Sequence, residues 1–221
     1  MDTCKGQRFI ASYSSGKDST LAVYKAIQQG MEPLGLVMTY NIDRKISWFH
    51  GIKPEVIKKL ETALELPITL IKTSGENYER NFEAELERKK AEGAKVCVFG
   101  DIDLAEHLDW CTKRCEHTGL QAYFPMWQNN RRDVVMEFIR SGFTTHITVV
   151  DTQRMDPSYL GKVLSEELVV SMEADGIDAC GENGEFHTFV TDGPLFKTPL
   201  DIRFSDPIVR GKYLTLEIES R

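Results

Sequence analysis

Short apolar runs alternate with longer amphipathic stretches over the first two-thirds of the chain. Residues 8–13 predict a buried strand, and 19–29 a helix with Leu21, Ala22, Ala26 and Ile27 on one face, ended by Gly30. A strand over 34–40 follows, then a helix over 54–64 that gathers Val56, Ile57, Leu60 and Leu64 on one side. The pattern continues with a strand over 68–72, a charged helix over 78–92, a strand over 95–99, a helix over 104–118 and a short strand over 121–124. Strands alternating with helices predict an α/β fold: a parallel sheet with helices on both faces, which binds ligands at the carboxyl ends of its strands. Beyond this the pattern changes. Helices over 133–141 and 165–175 bracket a strand over 146–150, and short strands follow among Pro194, Pro199 and Pro207, ending over 213–219. That tail predicts a smaller α+β domain. The polar run Gln128-Asn129-Asn130 reads as the connection, dividing the chain into 1–128 and 129–221.

Composition narrows the function classes. The 221 residues are 41% hydrophobic, enough for a substantial core. A net charge of −7 argues against a broad grip on nucleic-acid phosphates. Five scattered cysteines, at 4, 97, 111, 115 and 180, suggest reduced thiols and not a disulfide framework. No apolar stretch opens the chain and none approaches a membrane span, so the expectation is a soluble, cytoplasmic protein.

The most informative segment is Ser14-Ser15-Gly16-Lys17-Asp18-Ser19, between the first strand and the first helix. A strand, a turn of small residues and a helix start converge free backbone N–H groups and the positive end of the helix on an anion. Lys17 adds a mobile cation, and Asp18 can cap the helix or hold magnesium through water. The segment is not a Walker A loop: Asp18 follows Gly16-Lys17, and Ala11 stands five residues before Gly16. The plain alternative is a strand-to-helix turn with a capping aspartate.

In the middle of the chain, Gly100-Asp101-Ile102-Asp103 follows the strand over 95–99, at the same expected sheet edge. Asp101 is a candidate to place magnesium or orient a nucleotide, whereas Asp103 suits the N-cap of the next helix. His107, Cys111 and Cys115 share a face of that helix, but one straight helix cannot wrap three such ligands around an ion, and buried thiols explain the cysteines better. Farther on, residues 176–188 crowd Glu182, Glu185, His187 and Thr188 among Gly176, Gly181 and Gly184. Such a cluster can bind an amine and move protons near neutral pH, or it is a hairpin tip turning at Asn183-Gly184.

The first loop resembles the Ser-Gly-Gly-Lys-Asp-Ser motif of the PP-loop ATP pyrophosphatases, with Ser15 in place of the first glycine. Together with Gly100-Asp101-Ile102, Tyr123-Phe124-Pro125-Met126-Trp127 and Glu182-Asn183-Gly184-Glu185-Phe186-His187-Thr188, it resembles the diphthine–ammonia ligase family over nearly the whole chain. That resemblance implies a HUP-type, Rossmann-like nucleotide domain followed by a smaller domain, whose signature forms the substrate side of the cleft. It implies an ATP-dependent ligase that adenylates a carboxylate, releases pyrophosphate and amidates with ammonia. ATP and magnesium are then expected on Ser12, Ser14, Ser15, Gly16, Lys17, Asp18, Ser19, Thr39, Gly100 and Asp101, with the metal on Asp18 and Asp101. Catalysis is expected from Lys17, Asp18, Glu182, Glu185 and His187. The acceptor would be diphthine on translation elongation factor 2 or a small molecule. Asn183 and His187 stand where family members more often carry Gly and Glu, which separates this chain from the usual diphthine form. A homodimer is one open assembly state. Competing readings are a tRNA-modifying PP-loop enzyme, which predicts a basic face and a cysteine pair, and a nucleotide sensor without turnover.

Overall fold

A computed structural model describes residues 4–221. The described chain forms two compact units. One comprises residues 4–14, 18–54 and 65–128; the other comprises 15–17, 55–64 and 129–221. The division therefore departs from a single cut near residue 128 at two short segments, one of them inside the Ser14 to Ser19 loop.

The first unit is built on a six-stranded sheet. Strand β1 (Arg8–Ser12) pairs in parallel with β2 (Glu32–Asn41) and with β5 (Val96–Val98). β2 pairs in parallel with β4 (Ile68–Thr73), and β5 with β6 (Gln121–Tyr123). A two-residue strand that the pattern did not reveal, β3 (Ile46–Ser47), runs antiparallel to the end of β2. Helices α3 (Tyr78–Ala91) and α4 (Ala105–Thr118) lay Phe82, Leu86, Cys111 and Cys115 on Ile10, Val37, Ile71 and Cys97 of the sheet. The alternate positions Phe9, Ala11, Leu36, Met38, Val96 and Val98 are equally buried. Side chains alternate across a strand, so this sheet is covered on both faces, as its near-continuous apolar runs require.

The α1 helix (Lys17–Gln28) starts two residues earlier than its apolar periodicity indicates. Periodicity marks the buried face; the first turn is fixed instead by what its N–H groups bond to. A second correction concerns α4. Its N-cap position is Leu104, with no side-chain cap bond, and Asp103 lies outside the helix.

The second unit carries α2 (Pro54–Leu64), α5 (Arg131–Arg140), α6 (Glu166–Ala174) and an antiparallel sheet. Its central pair is β7 (Thr144–Asp151) with β8 (Phe186–Asp192), and β11 (Tyr213–Thr215) and β10 (Ile208–Arg210) extend it on the β7 side. A separate ribbon joins β9 (Ile202–Phe204) to β12 (Ile218–Ser220). α2 is tied to this unit by the Lys197 N–H on the Ala63 carbonyl at 2.7 Å and by Lys59, which donates to the Asp201 carbonyl. Asn183-Gly184 does not close a hairpin: it is a turn leading into β8, whose partner β7 lies far earlier in sequence.

All five cysteines are free thiols. Cys97 and Cys115 are fully buried, and burial raises the Cys97 thiol well above its usual range, with Cys115 adding to the effect. Burial also pushes the Cys111 thiol up, helped by the nearby Asp101 carboxylate. In the folded protein, a thiol-exchange reagent is therefore expected to modify Cys4 and leave Cys97, Cys111, Cys115 and Cys180 for the denatured chain. Rapid labelling of Cys97 or Cys115 without unfolding would contradict this core.

Candidate functional site

In the first unit the carboxyl ends of the parallel strands bring several expected residues to one edge. Ser12 ends β1 opposite Val37, and Tyr13 N–H continues the pairing onto the Val37 carbonyl at 2.9 Å. Ser14 N–H donates to Ser19 Oγ at 3.2 Å, and the two hydroxyls lie 3.1 Å apart, closing the loop on itself. Thr20 Oγ1 donates to the Tyr13 hydroxyl, whose pKa burial pushes up to about 12.

Gly100 follows β5 and has a packing reason to be glycine. A Cβ there would sit 2.8 Å from the Asp18 carbonyl carbon and from the Ser19 nitrogen, both backbone atoms that cannot swing away. Asp101, the next residue, is hydrogen-bonded through Oδ1 to His107 Nδ1 at 3.0 Å. One oxygen of this expected magnesium ligand is thus already engaged by a side chain that sequence reasoning had grouped with the cysteines. Asp18 stands in the first turn of α1, and its carboxylate has the hard oxygens that magnesium takes.

Thr39 is buried near the end of β2, where its carbonyl accepts from Trp48 N–H and its side chain bonds to Tyr78. Burial raises the Tyr78 phenol, and its ring meets Trp48 edge-on at 5.8 Å and Trp110 at 5.9 Å. This aromatic cluster beside Thr39 was not read from the sequence, because Trp48, Tyr78 and Trp110 come from three separate segments with no shared spacing.

In the second unit the loop residues 15–17 lie along β8. Val190 N–H donates to the Ser15 carbonyl at 2.9 Å, and Lys17 N–H donates to Thr188 Oγ1 at 3.1 Å. Ser15 is fully buried with φ +64°, left-handed backbone that serine adopts only at a cost. Lys17 is 5% exposed, with its Nζ 5.8 Å from the centre of the Phe186 ring. Residues 186 and 188 of a strand share a face and 187 takes the other. Phe186 and Thr188 are buried accordingly, while His187 is exposed. His187 therefore lies on the face of β8 opposite Phe186 and Thr188.

The carboxylates of the second signature sit in a denser network. Glu185 is 7% exposed; its Oε1 accepts from Asn183 Nδ2 at 3.0 Å, while Oε2 is buried without a partner among the described residues. Cys180 Sγ and a Glu182 carboxylate oxygen lie within 4.8 Å of each other. Asp178 ties the turn together, accepting from Cys180 N–H at 2.9 Å and Glu182 N–H at 3.3 Å. Arg131, at the start of α5, donates to Asp178 at 2.6 Å and to Asn183 Oδ1 at 3.2 Å, and Arg154 donates to the Asn183 carbonyl. Below it, Asp151 N–H donates to the Glu185 carbonyl, and Lys212 beside the Asp151 carboxylate holds its pKa below the usual range. Gly181 has φ +73°, and a Cβ there would press within 3.2 Å of the Phe186 ring. Arg131, Arg154 and Asp178 were missed because each is an ordinary charged residue in isolation; only the fold makes them supports of Glu182 to Glu185.

The first unit is of the α/β class, with a parallel sheet of the kind that takes ligands at the carboxyl ends of its strands. The chain matches the diphthamide synthase N-terminal domain over residues 7–122 and the diphthamide synthase C-terminal domain over residues 130–217, and it belongs to that family. It is 25% identical to the diphthine–ammonia ligase of Rattus norvegicus over 92% of this chain and 86% of the rat protein. It is 33% identical to the Homo sapiens diphthine–ammonia ligase over 44% of this chain and 38% of the human one. A crystal structure described as a predicted subunit of tRNA methyltransferase from Methanocaldococcus jannaschii covers 88% of this chain at 13% identity and a TM-score of 0.46. Among the described residues no helix is long and apolar enough to cross a membrane.

The strained Ser15 and the packed Gly100 give direct tests. Ser15→Gly is expected to stay within about 1 kcal/mol of the parent in urea unfolding, since relief of left-handed strain offsets the flexibility glycine adds to the unfolded chain. Ser15→Val is expected to lose about 2 kcal/mol or more, because a β-branched residue tolerates positive φ poorly. Gly100→Ala is expected to cost about 1–3 kcal/mol by the same measurement; parent-like stability would mean that the helix start moves freely.

Proposed function

We propose that the protein is an ATP-dependent, AMP-forming amide ligase of the diphthine–ammonia ligase type, with a nucleotide domain over 1–128 and a substrate-side domain over 129–221. One observation carries the proposal: the buried Lys17 of the loop is held by Phe186 and Thr188 of the second signature. Both contacts join Lys17 to the second signature within one unit, which supports a joint role for Lys17 and that signature. ATP would lie with its phosphates on the loop over 14–19 and its adenine near Thr39, where Trp48 and Tyr78 offer aromatic edges.

In the first step a substrate carboxylate oxygen attacks the α-phosphorus, the bond to the β-phosphate oxygen breaks, and pyrophosphate leaves. Lys17 would neutralise charge building on the departing group. Magnesium, bound through Asp18, would supply further charge neutralisation. In the second step ammonia attacks the acyl carbon of the adenylate, the acyl–oxygen bond breaks, and AMP leaves with the amide formed. Ammonium gives up a proton to become the nucleophile, and the ammonium subsite is assigned to Glu182 and to the unpartnered Oε2 of Glu185, which offer negative charge and acceptors. The barrier reduction would come from positioning and electrostatics. The acceptor carries a carboxylate; diphthine on translation elongation factor 2 is the family's substrate, and a small molecule is the alternative raised by Asn183 and His187.

The test is the product pair. With ATP, magnesium, ammonium and a panel of carboxylates including diphthine-bearing elongation factor 2, AMP and pyrophosphate are expected in equal amounts; ADP and phosphate would sink the scheme. Lys17→Ala and Asp18→Ala are each expected to lower turnover by at least about 10²-fold, and parent-like rates in both would remove the loop from the chemistry.

A further inference from the structure

Strand β10 is the outer member of the antiparallel sheet, and among the described residues it pairs with β11 alone. The direction of its backbone groups follows from the bonds on the far side of β11. Thr152 N–H donates to the Lys212 carbonyl and Leu216 N–H to the Thr148 carbonyl, so residues 212, 214 and 216 turn their peptide groups toward β7. Tyr213 and Thr215 therefore turn theirs toward Arg210 and Ile208. That leaves the N–H and carbonyl of Val209, midway between, pointing off the free edge. The outward positions on either side cannot extend a long pairing, because Pro207 has no N–H and Gly211 begins the turn.

The side chains carry a matching signal. Val209 stands opposite Leu214, Leu214 opposite Val150 and Val150 opposite Phe186, one apolar row across the sheet. Phe186 and Val150 are buried, whereas Val209 is 74% exposed, the most exposed large hydrophobic side chain among the described residues. Residues 206–213 are all exposed, with Asp206 at one end and Arg210 and Lys212 at the other. An open edge that ends an apolar row invites another strand. A segment acidic at one end and basic at the other matches a copy of itself laid antiparallel.

We propose that β10 pairs with β10 of a second copy of this chain, antiparallel about a two-fold axis at Val209. Each Val209 N–H donates to the Val209 carbonyl of the other copy, and the two sheets join into one continuous sheet. The apolar row then runs unbroken from one copy into the other, and Asp206 of each meets the basic end of its twin. Two-fold symmetry lets one surface serve both sides, and Pro207 with the turn at Gly211 keeps the pairing short and closed. The inference is independent of the proposed reaction.

The experiment is sedimentation velocity of the full chain over a concentration series, with the parent, Val209→Lys, Val209→Pro and, as a surface control, Val170→Lys on α6. The parent is expected to pass from monomer to dimer as concentration rises. Val209→Pro removes only an N–H that is turned away from β11. Both Val209 variants are expected to raise the dimer dissociation constant by about 10-fold or more, while Val170→Lys matches the parent. A Cys4→Ser, Val209→Cys double variant, oxidised with copper–phenanthroline, is expected to form a covalent dimer, since directly opposed strand residues lie within disulfide reach. Ile208→Cys in the same background faces Arg210 of the other copy and should cross-link far less. A parent that stays monomeric throughout, as an edge reserved for another kind of protein would leave it, overturns the proposal. So does a dimer that survives both Val209 variants, or equal cross-linking at 208 and 209.

Discussion

Two hydrogen bonds, Val190 N–H to the Ser15 carbonyl and Lys17 N–H to Thr188 Oγ1, fix the segment on which the candidate chemistry depends. A loop of small residues has many conformations open to it in isolation, and a left-handed serine is not among the favoured ones. Strand β8 selects one of them. It does so from its free edge, since β8 ends the order of the four-stranded sheet and β7 already occupies its other side. Backbone groups that would otherwise lie bare on an edge strand are thereby used to shape the turn over 15–17.

The second signature is shaped by the same economy of buried polar groups. Asp178 collects the N–H groups of the turn, Arg131 balances Asp178, and Asn183 takes one oxygen of Glu185. Each member is satisfied by the next, so the network orients Glu185 while leaving one of its oxygens over. Asp151 and Lys212 extend this arrangement beneath the Glu185 backbone.

Much of the fold was legible because its cause is local. The parallel sheet announces itself in apolar runs at 8–13, 34–40 and 95–99, and the thiols of Cys97, Cys111 and Cys115 behave as the buried residues their helix face and strand suggested. Helix starts were less legible: α1 begins at Lys17 and α4 at Ala105, since capping depends on partners and not on periodicity. Within the candidate site, the loop over 14–19 stood out by spacing alone. His187 takes the face of β8 opposite Phe186 and Thr188, because a run of chemically suggestive residues in a strand sends alternate members to opposite faces. The Arg131–Asp178 pair and the Trp48–Tyr78 contact arise only when distant segments meet, and no sequence window contains them.

Lys17 and Thr188 are 171 residues apart in the chain, and this separation orders events during synthesis. A ribosome adding about 5–20 residues per second needs roughly ten to thirty seconds to make the strand that shapes the loop after the loop itself has emerged. Until then residues 15–17 and α2 belong to a unit that is mostly unmade. The loop thus emerges well before the strand it is bonded to, and a nascent chain carries it without the partner that gives it shape.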